Sequence, residues 1–327
     1  MRSLQLVLPS LARAQERSRG NLTDLPASQR LLARAGVPRS VQRDRDVALL
    51  QAFGVAQQQD WPVAPFTYLA DGGALRAGYC LRADPVHLRA ERDALVLVDG
   101  RHFDLGAQAA AELIAALNRH FEDDGIAFFG SHPYRWYAVL PAVPDLTTCP
   151  LEAAAGRNID ALLPAGGEAL AWHRRCNEIQ MLFHSHPVNE AREEAAEPVI
   201  NSVWLWGGGA LPASARPVFA SVAARDPLAA GLALASSTPL RPPVSGAADW
   251  LSAAANGAHL VVLDPIASEA GREHLEQSWF QPLLQALRSR QLERLAIVLP
   301  DGERWLEFEL SPHDLWKFWR RSHAGSR

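Results

Sequence analysis

The chain has 327 residues and a formal net charge of -4, with 48% hydrophobic and 21% charged residues. This composition is typical of a globular protein and excludes a fibrous or largely disordered chain. The length favours two domains or one domain with a large insertion, and the acidic balance without a basic block argues against a nucleic-acid partner.

The N-terminal part of the chain predicts one strand followed by two helices. Residues 4–8 form a short apolar run typical of a buried strand, and a polar loop is expected over residues 15–24. Residues 27–35 and 44–53 carry apolar side chains at helical spacing. A glycine follows each of these two ranges, as expected where a helix ends.

Residues 76–195 predict a small α+β unit of their own. Its strands are expected at residues 78–89, 94–98, 126–129 and 136–140. Residues 107–121 place Leu113, Leu117 and Phe121 on one helical face, which predicts an amphipathic helix packed on a sheet. Residues 141–167 are rich in proline, glycine, alanine and threonine, so a loop is expected there.

The helix expected over residues 168–184 carries two stripes of side chains. The apolar stripe consists of Trp172, Cys176, Ile179 and Phe183. The polar stripe, one position along, consists of His173, Asn177, Gln180 and His184. The apolar stripe predicts the buried face. The two histidines would need a third ligand to hold a metal, and lone helix histidines are more often satisfied by hydrogen bonds.

From residue 203 onward, strands and helices alternate, which is the pattern of a parallel sheet with covering helices. The segments are residues 203–206, 218–223, 227–234, 260–263, 275–287 and 295–299. A last helix is expected to begin at Ser311, with Leu315, Trp316 and Trp319 on its buried side. The predicted fold class is α/β: a parallel-sheet core of residues 1–75 and 196–327, and an inserted α+β domain of residues 76–195.

The cysteines and the N-terminal residues bear on the cellular compartment. Cys80, Cys149 and Cys176 are far apart and form no CxxC pair, which predicts reduced thiols. The apolar stretch of residues 1–11 is interrupted by Pro9 and is too short for a signal peptide or a membrane span. We therefore expect a cytoplasmic protein with no membrane partner.

The most specific segment of the sequence is residues 177–209. Within it, His186, Asn189 and Arg192 precede a predicted strand, and Gly207–Gly209 follow it. The backbone N–H groups of consecutive glycines can approach an anion closely. The alternative is that the glycines form a tight turn and that the His-Pro dipeptide at residue 186 ends a helix.

Two motifs carry a resemblance to a known family. The first consists of His186-Pro187-Val188-Asn189, Arg192, Pro198, Asn201-Ser202 and Trp204-Leu205-Trp206-Gly207. The second reads LRADPVHLR at residues 81–89. They resemble the HPVN…R…PAN.IWLWG signature and the DPVAFR-like segment of the archaeal-type, 2,3-bisphosphoglycerate-independent phosphoglycerate mutases. They are also similar to a shorter bacterial group, the RpfE-type regulatory proteins, whose length and motif order fit this chain better.

The mutase family has an alkaline-phosphatase-like fold, and the resemblance implies a reduced form of that fold here. In the family, Asp and His ligands hold two metal ions that assist a serine nucleophile. Where the family has Asp-Gly after its first strand, this chain has Pro9-Ser10. Where the family has Asp-Glu-Ala-Gly-His, this chain has Ser268 in place of the aspartate and Arg272 in place of the histidine. Where the family has Asp-His, this chain has Asp301-Gly302. The resemblance therefore implies that the metal site is missing, so we expect no catalytic residue, no metal ligand and no cofactor. His274 could replace a ligand but is expected to face solvent.

The resemblance leaves a set of polar side chains as candidate ligand-binding residues. They are Arg82, Asp84, His87, Arg89, His186, Asn189, Arg192 and Asn201. Arginine forks and histidines suit a phosphate or a carboxylate. For Asp84 with Arg82 or Arg89, an internal salt bridge is an equally open alternative. The expected partner is a small phosphorylated or acidic metabolite, or another protein.

Three functional hypotheses follow from the sequence. The first is a phosphoglycerate-mutase-like pseudoenzyme that lacks the catalytic metal site and acts as a regulatory or ligand-binding protein. The second is an active metal-dependent mutase or phosphatase with rearranged ligands. The third is a structural interaction module whose motifs only shape the fold. The sequence contains no P-loop and no GxSxG motif, so it supports neither a nucleotide-binding loop nor a nucleophile elbow.

Overall fold

The computed structural model describes residues 1–8, 26–42, 44–74, 78–212, 217–266, 268–301 and 304–317. The strands are β1 (Arg2–Val7), β2 (Arg39–Gln42), β3 (Tyr79–Glu91), β4 (Ala94–Val98), β5 (Ala127–His132), β6 (Arg135–Leu140), β7 (Ser202–Gly209), β8 (Ser221–Ala223), β9 (Leu240–Arg241), β10 (Gly257–Val262), β11 (Arg294–Asp301) and β12 (Arg304–Leu310). The α-helices are α1 (Pro26–Ala35), α2 (Arg45–Ala52), α3 (Val63–Ala70), α4 (Ala107–His120), α5 (Leu151–Ala154), α6 (Ala169–His184), α7 (Pro187–Glu194), α8 (Pro227–Ala235), α9 (Ala247–Ala253), α10 (Glu269–Leu275) and α11 (Gln281–Arg288).

The chain forms two compact units, one of Met1–Val55 with Ser214–Arg327 and one of Ala56–Ala213. The second unit extends beyond the range 76–195 expected from the sequence. Strand β7 pairs with β3, and helix α3 contacts both of these strands. Residues on either side of the expected range therefore pack with this unit.

The first unit contains a sheet with the strand order β2-β12-β11-β1-β10-β8-β9. Strands β11, β1, β10, β8 and β9 are parallel, whereas β12 and β2 are antiparallel additions at one edge. The core includes Leu6 and Ile297 from the sheet and Leu31, Phe280 and Leu283 from the helices, all buried. The predicted α/β class with a parallel-sheet core is confirmed, but the sequence interpretation did not include the antiparallel edge.

A buried carboxylate joins distant parts of the first unit. The predicted single helix over residues 275–287 is interrupted by a π-helical turn, Glu276–Phe280, between α10 and α11. In that turn Glu276 is 4% exposed, and its carboxylate accepts hydrogen bonds from the backbone N–H groups of Ala27 at 2.6 Å and Ser28 at 3.2 Å. The negative charge satisfies the donors at the N-terminus of α1 and matches the positive end of its dipole.

The last helix differs from its prediction in length and in its buried side. It is a short 3-10 helix, Pro312–Trp316. Leu315 packs against the core, but Trp316 is 79% exposed, so its predicted burial was wrong. A five-residue 3-10 helix has three residues per turn and cannot direct both neighbouring side chains inward. Trp319 lies outside the described residues.

The second unit is built on a sheet in which β3 pairs with β4, β6 and β7, and β5 pairs with β6. Helices α4 and α6 contribute Leu113, Leu117 and Phe183 to a buried core with Trp136 of the sheet. The other face of β3 and β6 carries Cys80 and Tyr137, which pack against helix α3. The predicted α+β character of this region is confirmed. Side chains of β3 alternate between the two faces of the sheet, and both faces are buried.

Two further properties concern the chain as a whole. Within the described ranges, each helix is too short or too polar to cross a lipid bilayer. The cysteines are free thiols: Cys80 is buried, and Cys149 and Cys176 are half-buried.

Candidate functional site

The two sequence motifs lie next to each other in the second unit. Strands β3 and β7 are antiparallel neighbours, and their register places Arg82 opposite Trp206 and Asp84 opposite Trp204. Both strands are buried over this stretch. The fold therefore brings the two motifs together as adjacent strands of one sheet.

Arg82 is 6% exposed and has its charge neutralised inside the unit. Its Nε and Nη2 donate to Oδ1 of Asp84 at 3.1 and 2.6 Å. The guanidinium carbon lies 5.3 Å from the ring centroid of Tyr137 and 5.1 Å from that of Trp206. These distances allow cation–π attraction to both rings. The internal salt bridge that the sequence left open is thus present.

Asp84 is 1% exposed and accepts two further hydrogen bonds. The backbone N–H of Trp136 donates to Oδ1 at 3.2 Å, and the indole N–H of Trp206 donates to Oδ2 at 2.8 Å. Burial raises the pKa of Asp84 above its ordinary value, although the charge of Arg82 and these donors act in the opposite direction. The predicted ligand-binding role of Asp84 stays a prediction, and its geometry is that of a fully engaged internal carboxylate.

A second ion pair in this unit was not found from the sequence. Asp71 accepts hydrogen bonds from Nε and Nη2 of Arg135 at 2.9 and 2.8 Å, and from the Tyr137 hydroxyl at 2.6 Å. Burial alone would raise the pKa of Asp71, but Arg135 and Tyr137 outweigh it and hold this pKa below its ordinary value. Asp71 follows helix α3 and Arg135 begins β6, so no local pattern links them.

His87 and Asn201 join the segment before β7 to strand β3. The Asn201 side chain accepts from the N–H of Leu88 at 2.7 Å and donates to the carbonyl of the same residue at 2.8 Å. The Nδ1 atom of His87 lies 2.9 Å from the carbonyl oxygen of Val199, which places the ring proton on Nδ1. Asn201 uses its amide for the fold, whereas Nε2 of half-buried His87 keeps a lone pair for an outside donor.

His186 and Asn189 fix the start of helix α7. His186 is the N-cap residue, and its Nδ1 accepts from the N–H of Val188 at 3.2 Å. Asn189 is 2% exposed and donates to the carbonyls of Phe183 and Ile200 at 2.8 Å each. It also accepts from the N–H of Ile200 at 2.8 Å. Helix α6 ends at His184, just before the His-Pro dipeptide, as that alternative predicts, and Pro187 also suits the first turn of the next helix.

The two remaining candidate arginines differ in exposure. Arg192 is 7% exposed, donates from Nε to the carbonyl of Pro198 at 2.7 Å and pairs with Glu197 at 3.2 Å. Its buried Nη2 has no hydrogen-bond partner among the described residues. Arg89 pairs with Glu91 at 2.7 Å, and its side chain is 58% exposed. Arg89 is thus the candidate cation with the most open access from solvent.

The three glycines lie within strand β7, so the tight turn was wrong, whereas the anion-binding interpretation stays a prediction. The N–H of Gly207 donates to the hydroxyl of Thr148 at 3.2 Å. A Cβ atom at Gly208 would lie 2.3 Å from the Tyr79 hydroxyl. The glycines permit close packing, and the carboxylate of Asp60 accepts from the N–H and the hydroxyl of Thr148.

The positions that correspond to the family's metal ligands lie in the first unit. Ser268 is the N-cap of α10, and its Oγ accepts from the N–H of Gly271 at 3.0 Å. Arg272 lies one turn later, and a guanidinium cannot ligate a cation. The carboxylate of Asp264, which follows β10, pairs with Arg225, which follows β8. Neither Ser268 nor Arg272 therefore offers a carboxylate or an imidazole ligand to a divalent cation.

The remaining candidate metal ligands are either outside the described residues or engaged with neighbouring groups. Residues 9, 10 and 302 lie outside the described residues, as does the side chain of Asp301. Across the ranges that the structure describes, no three His, Cys, Asp or Glu side chains are placed to share a metal ion. In helix α6, the Nε2 atom of His173 lies 2.8 Å from the carbonyl oxygen of Pro164. His274 is exposed, as expected, and contacts the hydroxyl of Ser278 at 3.2 Å.

Comparison with known proteins supports the family resemblance. The sequence is 29% identical over 179 residues to a probable 2,3-bisphosphoglycerate-independent phosphoglycerate mutase of Geobacter sulfurreducens. The match covers 54% of this chain and 45% of the relative, so the chain spans about half the length of the curated relatives it matches. This part of the chain is homologous to the cofactor-independent mutases. No protein-family model matches the sequence.

Comparison of structures supports the fold. A cofactor-independent phosphoglycerate mutase of Thermoplasma acidophilum aligns with a TM-score of 0.50 and 18% identity, covering 100% of this chain and 96% of that one. A Pyrococcus horikoshii protein aligns with a TM-score of 0.53 and 14% identity, covering 95% and 87% of the two chains. At these identities the likeness shows the fold alone, an α/β fold shared with a cofactor-independent phosphoglycerate mutase.

Proposed function

We propose that this chain is a phosphoglycerate-mutase-like protein without the catalytic metal site, and that it acts in the cytoplasm as a regulatory or ligand-binding protein. One observation carries the proposal. At two positions where the family has an aspartate and a histidine, this chain has a serine engaged in capping a helix and an arginine. A metal-assisted phosphoryl transfer needs anionic or imidazole ligands at those places. Ser10 and Gly302 support the same conclusion from the sequence.

The proposed ligand is a small phosphorylated or acidic metabolite. Charge-assisted hydrogen bonds from arginine and imidazole groups are the chemistry that recognises such anions. Among the motif residues, Arg89 is open to solvent, Arg192 keeps an unpartnered Nη2, and His186 is half-buried. Arg82 and Asp84 are buried and neutralise each other, so the proposal does not assign them to direct anion binding. The likeness of the motifs to the RpfE-type proteins supports a regulatory role.

Ligand-induced stabilisation tests the proposal. A metabolite that binds only the folded state raises the unfolding free energy, by about 2.7 kcal/mol at a hundredfold excess over its dissociation constant. We expect 3-phosphoglycerate to raise the melting temperature in a concentration-dependent manner, and Arg89→Ala to reduce this rise. Arg119→Ala is the matched control, because Arg119 is an exposed arginine in the last turn of α4 and outside both motifs.

The outcomes separate the three hypotheses. If 3-phosphoglycerate stabilises the protein and Arg89→Ala alone weakens the effect, the binding role stands. If neither 3-phosphoglycerate nor 2-phosphoglycerate shifts the melting temperature, the ligand-binding claim fails and a structural interaction module is favoured. If the protein converts one phosphoglycerate into the other, the active mutase with rearranged ligands is favoured.

A further inference from the structure

The second unit contains a partly enclosed cavity of about 170 Å³ whose lining includes none of the candidate anion-binding residues. One wall is helix α6, and the floor is formed by strand β7 with side chains from β3 and β4. The segment around Ile159 and Leu163 closes a third side. The proposed function does not use this cavity, so an inference about it stands independently.

The floor and the third side of the cavity are mostly apolar, and the Ser202 hydroxyl on the floor donates to the carbonyl of Val203. Leu88 and Leu95 come from the β3–β4 hairpin, Val203 comes from β7, and Ile159 and Leu163 come from the closing segment. These aliphatic side chains offer dispersion contacts to a flat apolar molecule but no hydrogen bonds. A molecule that enters would therefore place its apolar face on this floor.

The helix wall supplies the polar groups, and it is the polar stripe recognised in the sequence. His173, Asn177 and Gln180 all line the cavity. Nε2 of His173 is engaged with the carbonyl of Pro164, so Nδ1 is left as an acceptor. Neither amide, that of Asn177 nor that of Gln180, makes a hydrogen bond with another described residue. The wall thus offers both donors and acceptors to a ligand.

The charges around the cavity exclude an anionic ligand. No arginine or lysine lines it, and its one ionisable carboxyl group, Asp160, is exposed at the edge. Burial raises the pKa of the Cys176 thiol to about 11, so this lining residue is neutral at physiological pH. A phosphate or carboxylate would find no counter-charge here, and its desolvation would oppose binding. An uncharged molecule fits the lining.

The volume limits the size of the ligand. Engineered apolar cavities of about 150 Å³ accept a molecule the size of benzene. A cavity of about 170 Å³ therefore suits one six-membered ring with one small substituent. The substituent would lie against the amide and imidazole groups of α6.

We infer that this cavity is a binding site for a small uncharged cyclic molecule with an apolar face and a hydroxyl or amide group at one edge. Such a ligand stacks its ring on the aliphatic floor and exchanges hydrogen bonds with His173, Asn177 and Gln180. The site differs in ligand chemistry from the proposed anion site, so each is tested without the other.

Titration of the isotope-labelled full chain with matched probes, followed by NMR, tests the inference. Phenol and benzamide are the neutral probes, and benzoate and phenyl phosphate are the charged probes with the same ring. We expect the neutral probes to produce saturable shifts of the Asn177 and Gln180 side-chain amide signals, and the charged probes to produce none. Saturable shifts of equal size with benzoate or phenyl phosphate would overturn the inference, as would an absence of shifts with both neutral probes.

Three variants locate the binding. Asn177→Ala and Gln180→Ala each remove one hydrogen-bonding group from half-exposed or exposed helix positions and should weaken neutral-probe binding about fivefold. Met181→Ala is the control on the same helix, because Met181 is 75% exposed and does not line the cavity. It should leave the affinity unchanged. Equal losses in Met181→Ala and the two amide variants would contradict the assignment.

Discussion

The buried pair of Arg82 and Asp84 permits the sharpest prediction about the motif residues. Asp84→Ala leaves the Arg82 guanidinium buried without its counter-charge, and it leaves the N–H groups of Trp136 and Trp206 without an acceptor. Removing one partner of a buried ion pair costs about 3 to 5 kcal/mol. For a unit of this size, such a loss lowers the melting temperature by about 6 to 20 °C.

An exposed pair on the same strand provides the control. Arg89 and Glu91 have the same spacing as Arg82 and Asp84, but their side chains are 58% and 49% exposed. Exposed pairs contribute about 0 to 1 kcal/mol, so Arg89→Ala should change stability by no more than that. The double variant Arg82→Met with Asp84→Ala should be less destabilised than the sum of the two single variants, by about 1 to 3 kcal/mol.

Urea unfolding followed by circular dichroism measures these free energies. Hydrogen exchange measured on individual peptides then shows whether the amide protection is lost in strands β3, β6 and β7 or in the first unit. The reasoning is refuted if Asp84→Ala costs no more than Arg89→Ala. It is also refuted if the lost protection lies in the first unit.

Three further predictions concern single contacts. Asp71→Asn should destabilise the second unit at neutral pH. Because the fold lowers the pKa of Asp71, ionised Asp71 stabilises the protein at pH values above its ordinary pKa of 3.8. This stabilisation is lost as the pH falls below 3.8. Urea midpoints of the variant and the parent should therefore converge in acid, and a constant gap would count against the Arg135 contact. Asn201→Ala leaves the N–H and carbonyl of Leu88 without their partner and should cost about 1 to 3 kcal/mol, with faster exchange of the Leu88 amide; unchanged exchange would contradict it. Glu276→Ala removes the acceptor from the N-terminus of α1 and should cost about 1 to 3 kcal/mol, with exchange increased at Ala27 and not in the second unit.

Many helices and strands of both units could be predicted from the sequence, because their apolar residues recur at the spacing of a helix or a strand. Helix α4 was predicted from apolar residues one turn apart, and the α/β core from alternating strands and helices. Helix α3 was not predicted, since Pro65 lies within it and its buried positions do not repeat at a helical period. Strand β12 was missed although it alternates apolar and charged residues, as an antiparallel edge strand does.

The roles of the site residues depend on tertiary partners that no local pattern reveals. The same asparagine type can contact a ligand or the backbone, and at Asn189 and Asn201 it contacts the backbone. The two motifs lie side by side on β3 and β7, and several of their polar side chains bond to the protein itself. The ion pair of Asp71 and Arg135 was not predicted, because Asp71 follows α3 and Arg135 begins β6, far apart in the sequence.

Manganese-dependent turnover is the measurement that bears most directly on the proposed loss of the metal site. The interconversion of 3-phosphoglycerate and 2-phosphoglycerate would be followed over a manganese titration, with the Thermoplasma acidophilum mutase in parallel. We predict a rate equal to the protein-free blank at every manganese concentration. A rate that rises with manganese and saturates would contradict the account.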